Sequence, residues 1–144
     1  MKAAYSPVMA EGRREWMVWM MELWNTGEYD RFLDELGPDL VFSPDPSFPD
    51  AGTYSGEEFH RWMRDWISTW KENRFEMLEL TELDQALLVD GRWHLATRGS
   101  GDEVPLADFT IAVVFPDEAG ERPDRMAVFF DRDRALEVAQ GGTG

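Results

Sequence analysis

The chain has 144 residues, a formal net charge of −15 and an aromatic content of 13%. Its length suits one domain over residues 1–144, with an ordered core expected from about residue 8 to about residue 140. Acidic residues outnumber basic ones by 29 to 14, and such a field repels phosphate and anionic lipid, so neither nucleic acid nor a membrane is an expected partner.

Several features exclude further classes of protein. There is no cysteine, which rules out disulfides and thiolate metal ligands. Residues 1–12 lack the apolar stretch of a secretory leader, and no apolar run reaches the roughly 20 residues needed to span a bilayer. No phosphate-binding glycine loop is present, so we expect no cofactor. A cytoplasmic protein is therefore expected.

Two apolar stripes predict a helical hairpin near the N-terminus. The first stripe has helical spacing and consists of Trp16, Trp19, Met20, Leu23 and Trp24. Gly27 suits the left-handed residue that follows a helix end. The second stripe is shorter, ends before Gly37-Pro38, and consists of Tyr29, Phe32, Leu33 and Leu36.

A third helix follows a short strand at Leu40–Ser43 and a proline-rich loop. Ser55, with Glu58 three residues later, fits a capping box at its start. Its broad apolar stripe consists of Phe59, Trp62, Met63, Trp66, Ile67 and Trp70. Three amphipathic helices therefore precede the rest of the chain.

After Asn73 the apolar period changes to that of strands, which we place near 75–83, 86–98, 103–116 and 124–131. Asp90-Gly91 fits either a hairpin turn or a bulge within one long strand, and the bulge is preferred because the preceding run is short. A last helix runs from Arg132 to Gln140, with Asp131 and Asp133 as capping residues. Helices followed by an antiparallel meander predict an α+β fold with the helices on one face of the sheet.

The strand at 103–116 has two apolar faces. Phe109, Ile111, Val113 and Phe115 point one way, and Thr110, Ala112 and Val114 point the other. Both faces should then be covered. Because three helices cover only one of them, a partner subunit is expected on the other, in a homodimer.

The chain resembles the SnoaL-like branch of the nuclear transport factor 2-like superfamily, in the order and spacing of segments from about Trp16 to Ala139. These segments are Trp24-Asn25-Thr26-Gly27, Leu36-Gly37-Pro38-Asp39-Leu40-Val41-Phe42, Gly52-Thr53-Tyr54-Ser55-Gly56-Glu57-Glu58, Arg98-Gly99-Ser100-Gly101 and Phe130-Asp131-Arg132-Asp133-Arg134-Ala135-Leu136-Glu137. The resemblance implies three helices in the concave face of a curved, mainly antiparallel sheet, with a conical cavity and usually a homodimer. Its members include isomerases, polyketide cyclases, dehydratases, epoxide hydrolases and proteins that only bind ligands.

Asp108 is the candidate catalytic residue, on the same strand face as Thr110. The resemblance agrees, because Asp108 falls where isomerases and cyclases of this fold carry a functional aspartate. A carboxyl in an apolar pocket has a raised pKa and serves as a general acid or base. The alternative is a buried carboxylate whose hydrogen bonds only stabilise the fold. The isomerase's own tyrosine and base fall near Trp19 or Met20 and near Ser43, so steroid isomerisation is not expected.

Candidate ligand-binding residues are Trp19, Trp62 and Trp66, on helix stripes that face the sheet, and Tyr54, which offers a hydroxyl. Core packing is the alternative for each ring. His60 and His94 lack a third ligand at metal spacing, so no metal site is expected.

We therefore expect a protein that binds a small hydrophobic molecule in an aromatic-lined pocket. Cofactor-free acid–base catalysis by Asp108, as isomerisation, cyclisation or dehydration, is one extension of this hypothesis. A non-catalytic binding or dimer-scaffold domain is the alternative.

Overall fold

A computed structural model describes residues 12–48, 51–104, 108–116 and 122–141. Residues 8–11, the expected beginning of the ordered core, and residues 105–107, in the middle of a predicted strand, lie outside the described residues. The helices are α1 (Gly12–Asn25), α2 (Tyr29–Leu36), α3 (Gly56–Thr69) and α4 (Arg132–Ala139). The strands are β1 (Val41–Ser43), β2 (Tyr54–Ser55), β3 (Trp70–Glu82), β4 (Ala86–Thr97), β5 (Glu103–Val104), β6 (Phe109–Val114) and β7 (Arg125–Phe129).

The strands form one curved, unclosed sheet in the order β2-β1-β7-β6-β4-β3, with β5 also paired to β4. Every pair is antiparallel except β1 with β7, which is parallel, so the sheet is mixed. The strand predicted at 103–116 contains β5 and β6, and the residues between them lie outside the described residues. The predicted α+β fold is confirmed.

The three N-terminal helices pack in the concave face of the sheet, as the apolar stripes predicted. Trp16 and Met20 of α1 have no exposed surface, and Phe59 of α3 has 1%. They share one buried cluster with Leu87 and Val113 of the sheet. Burial of this apolar surface is the main force that holds the helices in the cone.

The end of α1 is anchored to the sheet through Asn25. Its Nδ2 donates to the carbonyl oxygen of Phe75 at 2.9 Å, and its Oδ1 accepts from the amide N of Phe75 at 2.8 Å. The side-chain amide thus satisfies both backbone groups of one strand residue, as a neighbouring strand would. Asn25, predicted only as part of a helix stop, thus fixes the backbone of Phe75 against the end of α1.

The stretch around Asp90 and Gly91 belongs to one long strand, β4, as preferred over a hairpin. The irregularity lies in the facing strand, where the register shifts between Met77 and Glu79 and Leu78 is the extra, 44% exposed residue. Gly91 is required by close approach, because a Cβ atom there would overlap the Phe75 ring. The bulge was therefore placed at the right level of the sheet but in the wrong strand.

Helix α4 lies on the outer, convex face of the sheet. Ala135, Val138 and Ala139 pack there against small residues such as Ala112 and Ala127. The expectation of a partner subunit assumed that nothing else in the chain covers this face, and that reasoning was wrong. The homodimer itself stays a prediction.

The predicted caps differ in outcome. Ser55 is the N-cap of α3, but its side chain makes no capping hydrogen bond, so the capping box is wrong. Ser55 is already held in β2 by pairing with Val41. At α4 the expected cap is confirmed, because Asp131 accepts from the backbone N–H of Asp133 at 2.9 Å.

A buried carboxylate holds the loop after β1. Asp45 is 8% exposed and accepts from the backbone N–H groups of Ser47 at 2.8 Å and Phe130 at 2.9 Å. Burial raises the pKa of Asp45, but these hydrogen bonds and the charge of Arg134 outweigh it and leave that pKa below its ordinary value. Asp45 therefore ties this loop to the end of β7.

Candidate ligand-binding cavity

A small apolar cavity lies inside the cone, between the helices and the sheet. Its volume is about 40 Å³. Its walls are built from six aromatic residues, four methionines and two branched residues: Met17, Met21, Trp24, Phe32, Phe42, Trp62, Met63, Phe75, Trp93, Ile111, Met126 and Val128. Within the described residues, no ionisable side chain lines it.

The cavity wall continues into a row of stacked rings. The rings of Trp62 and Trp66 are parallel to within 5° at a centroid distance of 5.8 Å, and Phe48 stacks on Trp66 at 5.9 Å. Trp66 also lies 5.1 Å from Trp93, which stacks on Phe109 at 4.5 Å. Such offset contacts are favourable for aromatic pairs and make this part of the wall stiff.

The indole N–H groups of this core are largely unsatisfied. Those of Trp62, Trp66 and Trp93 are buried without a hydrogen-bond partner among the described residues. The same holds for Trp16, Trp24 and Trp70. Buried donors of this kind usually find a partner, so these rings contribute to the core through their apolar surface and not through hydrogen bonds among the described residues.

Asp108 lies on the opposite face of the sheet from the cavity. Its carboxylate is 51% exposed and accepts two hydrogen bonds from Arg92, from Nε at 2.8 Å and from Nη2 at 3.1 Å. Hydrogen bonding and charge from Arg92 hold the pKa of Asp108 below its ordinary value. The expectation of a buried carboxyl with a raised pKa is therefore wrong, and the catalytic role stays a prediction that this geometry does not favour.

The error has a definite physical origin. The alternation along the strand was correct, since Asp108 shares its face with Thr110. The larger side chains of β6, such as Phe109 and Ile111, face the helices, whereas the smaller ones face outwards and pack under α4. A face of small apolar residues is compatible with a pocket wall, but in this protein helix α4 packs against it.

Other polar groups on the outer face pair with one another. His94 Nε2 lies 2.8 Å from Glu76 Oε1, and this hydrogen bond lowers the pKa of Glu76. Asp90 receives a hydrogen bond from the Thr110 hydroxyl at 2.7 Å and from Arg132 Nε at 3.1 Å. These contacts pair several of the charged groups of the outer face with one another.

The four predicted ligand-binding residues are not all brought together. Trp62 lines the cavity, and Trp66 stacks behind it. Trp19 is buried elsewhere, with the Arg31 guanidinium 5.2 Å from its ring centre. Tyr54 is half-buried and lies 6.3 Å from the Trp62 ring without lining the cavity. Their roles in binding stay predictions.

Several lining residues were missed from the sequence. Phe75 and Trp93 lie on β3 and β4, where an aromatic residue at alternating positions is typical of any strand core. Met63 was placed on a helix stripe without a role in a site, and Met17 and Met21 of α1 were not singled out. Only the contact between the helix face and the sheet shows that these residues share one cavity.

An open groove lies outside this cavity, between the start of α2, the end of α3 and the end of β4. Its volume is about 560 Å³, and three arginines, Arg31, Arg64 and Arg98, line it. Arg64 Nη2 forms an ion pair with Asp30 at 2.8 Å, and Arg98 Nε donates to the carbonyl oxygen of Ser68. The groove thus carries charged groups in its wall, whereas the cavity wall is apolar.

Residues 18–122, well over half of the chain, match the family model of the SnoaL-like domain. The chain belongs to the SnoaL-like family. The resemblance that the sequence segments indicated is confirmed. A comparison of this SnoaL-like domain with curated protein sequences gives no match.

Solved structures share the fold of this SnoaL-like domain. TerC co-crystallised with polyporic acid is 17% identical, with 87% of this chain and 95% of that chain covered at a TM-score of 0.65. A protein of the nuclear transport factor 2-like fold from Burkholderia pseudomallei is 19% identical, with 87% and 92% covered at 0.65. A protein of ketosteroid isomerase-like fold from Catenulispora acidiphila, in complex with trimethylamine, is 9% identical, with 86% and 91% covered at 0.61.

Two features of the described residues bear on partners. Among residues 12–48, 51–104, 108–116 and 122–141, no helix is long and apolar enough to cross a membrane. No group of three or more histidine, aspartate or glutamate side chains in the same ranges is arranged to hold a metal ion.

Proposed function

We propose that this SnoaL-like domain binds a small, flat, apolar molecule inside the cone. The observation that carries the proposal is the cavity wall, which is wholly apolar and half aromatic in the described residues. Ligand pockets are mostly apolar, and aromatic rings give contact area at little cost in conformational entropy. A flat ring would extend the stack of Trp62 and Trp66.

The present cavity of about 40 Å³ is smaller than a ring-sized ligand needs. A cavity of roughly 150 Å³ is known to hold benzene. Four of the lining residues are methionines, Met17, Met21, Met63 and Met126, and an unbranched thioether changes rotamer easily. Binding is thus an expansion of the cavity by methionine movement, while the tryptophan stack stays in place.

Solved relatives support small-molecule binding as the use of this fold. TerC was co-crystallised with polyporic acid, and the Catenulispora acidiphila protein is in complex with trimethylamine. These two molecules differ widely. At sequence identities of 17% and 9%, the relatives show a shared fold and do not indicate which ligand this chain binds. The chemical class proposed here therefore rests on the apolar wall of this chain.

Catalysis is the less favoured use of the cavity. The described wall offers no group that donates or accepts a proton, and Asp108 is paired with Arg92 on the outer face. General acid–base catalysis needs such a group within hydrogen-bond reach of the reacting atom. Non-catalytic binding is consistent with all the lining residues. The remaining rival is a scaffold whose core is simply filled by its rings.

Titration with naphthalene, followed by tryptophan fluorescence and thermal melting, tests the proposal. Binding to the folded state should quench fluorescence and raise Tm, with about 2.7 kcal/mol of stabilisation at a ligand concentration of 100 times Kd. Trp62→Phe should reduce the quenching, because it removes an indole from the wall. Trp16→Phe is the matched control, since Trp16 is buried but does not line the cavity.

The two rivals give different results. A filled scaffold core predicts that fluorescence and Tm stay unchanged with naphthalene at its solubility limit and with larger aromatic probes. Equal loss of quenching in both phenylalanine variants would also contradict the proposal, because it would place the probe away from Trp62.

A further inference from the structure

The arginine-lined groove and the apolar cavity lie close together, separated by the side chains of Tyr29 and Trp24. Tyr29 lines the groove, and its ring lies 5.1 Å from that of Trp24, which lines the cavity. The same relation holds along α3, where Ile67 lines the groove and Met63, one turn earlier, lines the cavity. A ring system that comes from the groove must therefore displace Tyr29 and pass Trp24 to reach the cavity.

The groove gathers positive charge in a strongly acidic chain. Arg31, Arg64 and Arg98 line it together with two acidic residues, Glu28 and Asp30. The whole chain has a formal net charge of −15, so a site with an excess of guanidinium groups is a local exception. An anion repelled by the rest of the surface would be attracted to this groove.

Two of the three guanidinium groups make contacts within the chain. Arg98 donates to the carbonyl oxygen of Ser68, which lies four residues after Arg64 on the same face of α3. Arg64 is held by Asp30 of α2. Arg31 and Arg98 make no ion pair with a carboxylate among the described residues. Guanidinium groups are suited to bind carboxylates through two parallel hydrogen bonds.

We infer that the groove binds the carboxylate of an aromatic acid whose ring system enters the cavity past Tyr29. The inference rests on the proposed function and assigns its ligand class, an aromatic carboxylate. Arg31 and Arg98 receive the carboxylate, and the ring system occupies the space that opens among the methionines. The ion pair of Arg64 with Asp30 competes for one of the three cations.

Two isosteric probes, 2-naphthoate and 2-naphthamide, test the inference at pH 7, with Kd measured by tryptophan quenching and calorimetry. The carboxylate should bind about fivefold to tenfold more tightly than the amide, the range expected for charge-assisted hydrogen bonds at an exposed site. Arg31→Gln and Arg98→Gln should each reduce this preference. Asp30→Asn should increase it, because it releases Arg64 and removes a like charge.

Arg61→Gln is the matched control, since Arg61 is an exposed arginine of the same helix that does not line the groove. Equal affinity for the two probes, or an equal effect of Arg61→Gln and Arg98→Gln, would overturn the inference. If the amide binds and quenches while no preference exists, the proposed function stands and the inference fails. If neither probe changes the fluorescence, both fail.

Discussion

Arg92 and Asp108 form a two-point ion pair on the outer sheet face, and this pairing fixes the sign of the contribution of Asp108 to stability. The pKa of Asp108 is lowered in the folded state by Arg92. The folded state therefore binds the proton more weakly than the unfolded chain, whose aspartate pKa is about 3.9. The stabilisation is present above the unfolded value and is lost as the pH falls through the lower folded value.

Asp108→Asn is expected to lower Tm at pH 7 and to have less effect at about pH 3. The change should be small, because both partners are about half exposed and solvent screens the pair. Thermal melts at the two pH values measure it. Asp102→Asn is the control for relief of the overall negative charge, as Asp102 is exposed. A rise in Tm at pH 7 beyond that control would return Asp108 to the role of a strained functional group.

At the scale of elements, the pairing of β3 with β4 sets the position of an aromatic ring in the cavity wall. The bulge at Leu78 lies one level from Gly91, and Gly91 makes room for the Phe75 ring. That ring lines the cavity and lies 6.1 Å from Trp93. The absence of a side chain at Gly91 of β4 thus provides the space in which the Phe75 ring of the neighbouring strand β3 lies.

Gly91→Ala should destabilise the domain by about 1–3 kcal/mol, the usual cost of forcing an extra methyl group into a packed core. Urea unfolding measures this change. Gly99→Ala is the control, because a Cβ at Gly99 meets nothing within 4 Å. Phe75→Leu should reduce the cost of Gly91→Ala in a double-mutant cycle, since it removes the overlapping ring atoms. An additive double mutant would show that the overlap with Phe75 is not the cause.

At the scale of the whole molecule, the outer sheet face has two regions. α4 covers the region of small residues, and polar pairs such as the Glu76–His94 hydrogen bond and the Arg92–Asp108 ion pair occupy the other. Neighbouring charges of both signs suit a twofold contact, in which each surface meets a copy of itself. This polar region is the remaining reason to expect a homodimer.

Light scattering at micromolar concentration should give twice the chain mass of 16.6 kDa. The dimer should weaken as salt is raised, because salt screens the attraction between exposed charges, with a screening length of about 10 Å at 0.1 M. A single species of 16.6 kDa at low salt would contradict the prediction.

Much of this architecture could be predicted because it depends on local periodicity. The stripes of α1 and α3 show which residues are buried, and the change of period after Asn73 indicates the long strand β3. That strand begins earlier than predicted, at Trp70, so the assignment of Trp70 to the third helix was wrong. The position of α4 could not be predicted in this way. Its short pattern shows an apolar side but not which face of the sheet that side covers.

Local periodicity also explains why only part of the candidate site could be predicted. Trp62 was identified because a helix stripe predicts a side chain that faces the sheet. Asp108 was misplaced because both faces of its strand are apolar, so alternation alone could not identify the inner face. Asn25 and Asp45 hydrogen-bond to backbone atoms 50 and 85 residues away, and such partners leave no signal in local sequence.

The row of parallel and tilted indoles in the cone has an optical consequence. Trp62, Trp66 and Trp93 lie within 6 Å of a neighbouring ring in the row, a range at which excitation passes between chromophores faster than it is emitted. The three indoles should then behave as one coupled system, with coupled bands in near-ultraviolet circular dichroism and with emission from the lowest-energy indole. A molecule that binds beside any one of them would then change the emission of all three, so intrinsic fluorescence would report whether the cavity is occupied.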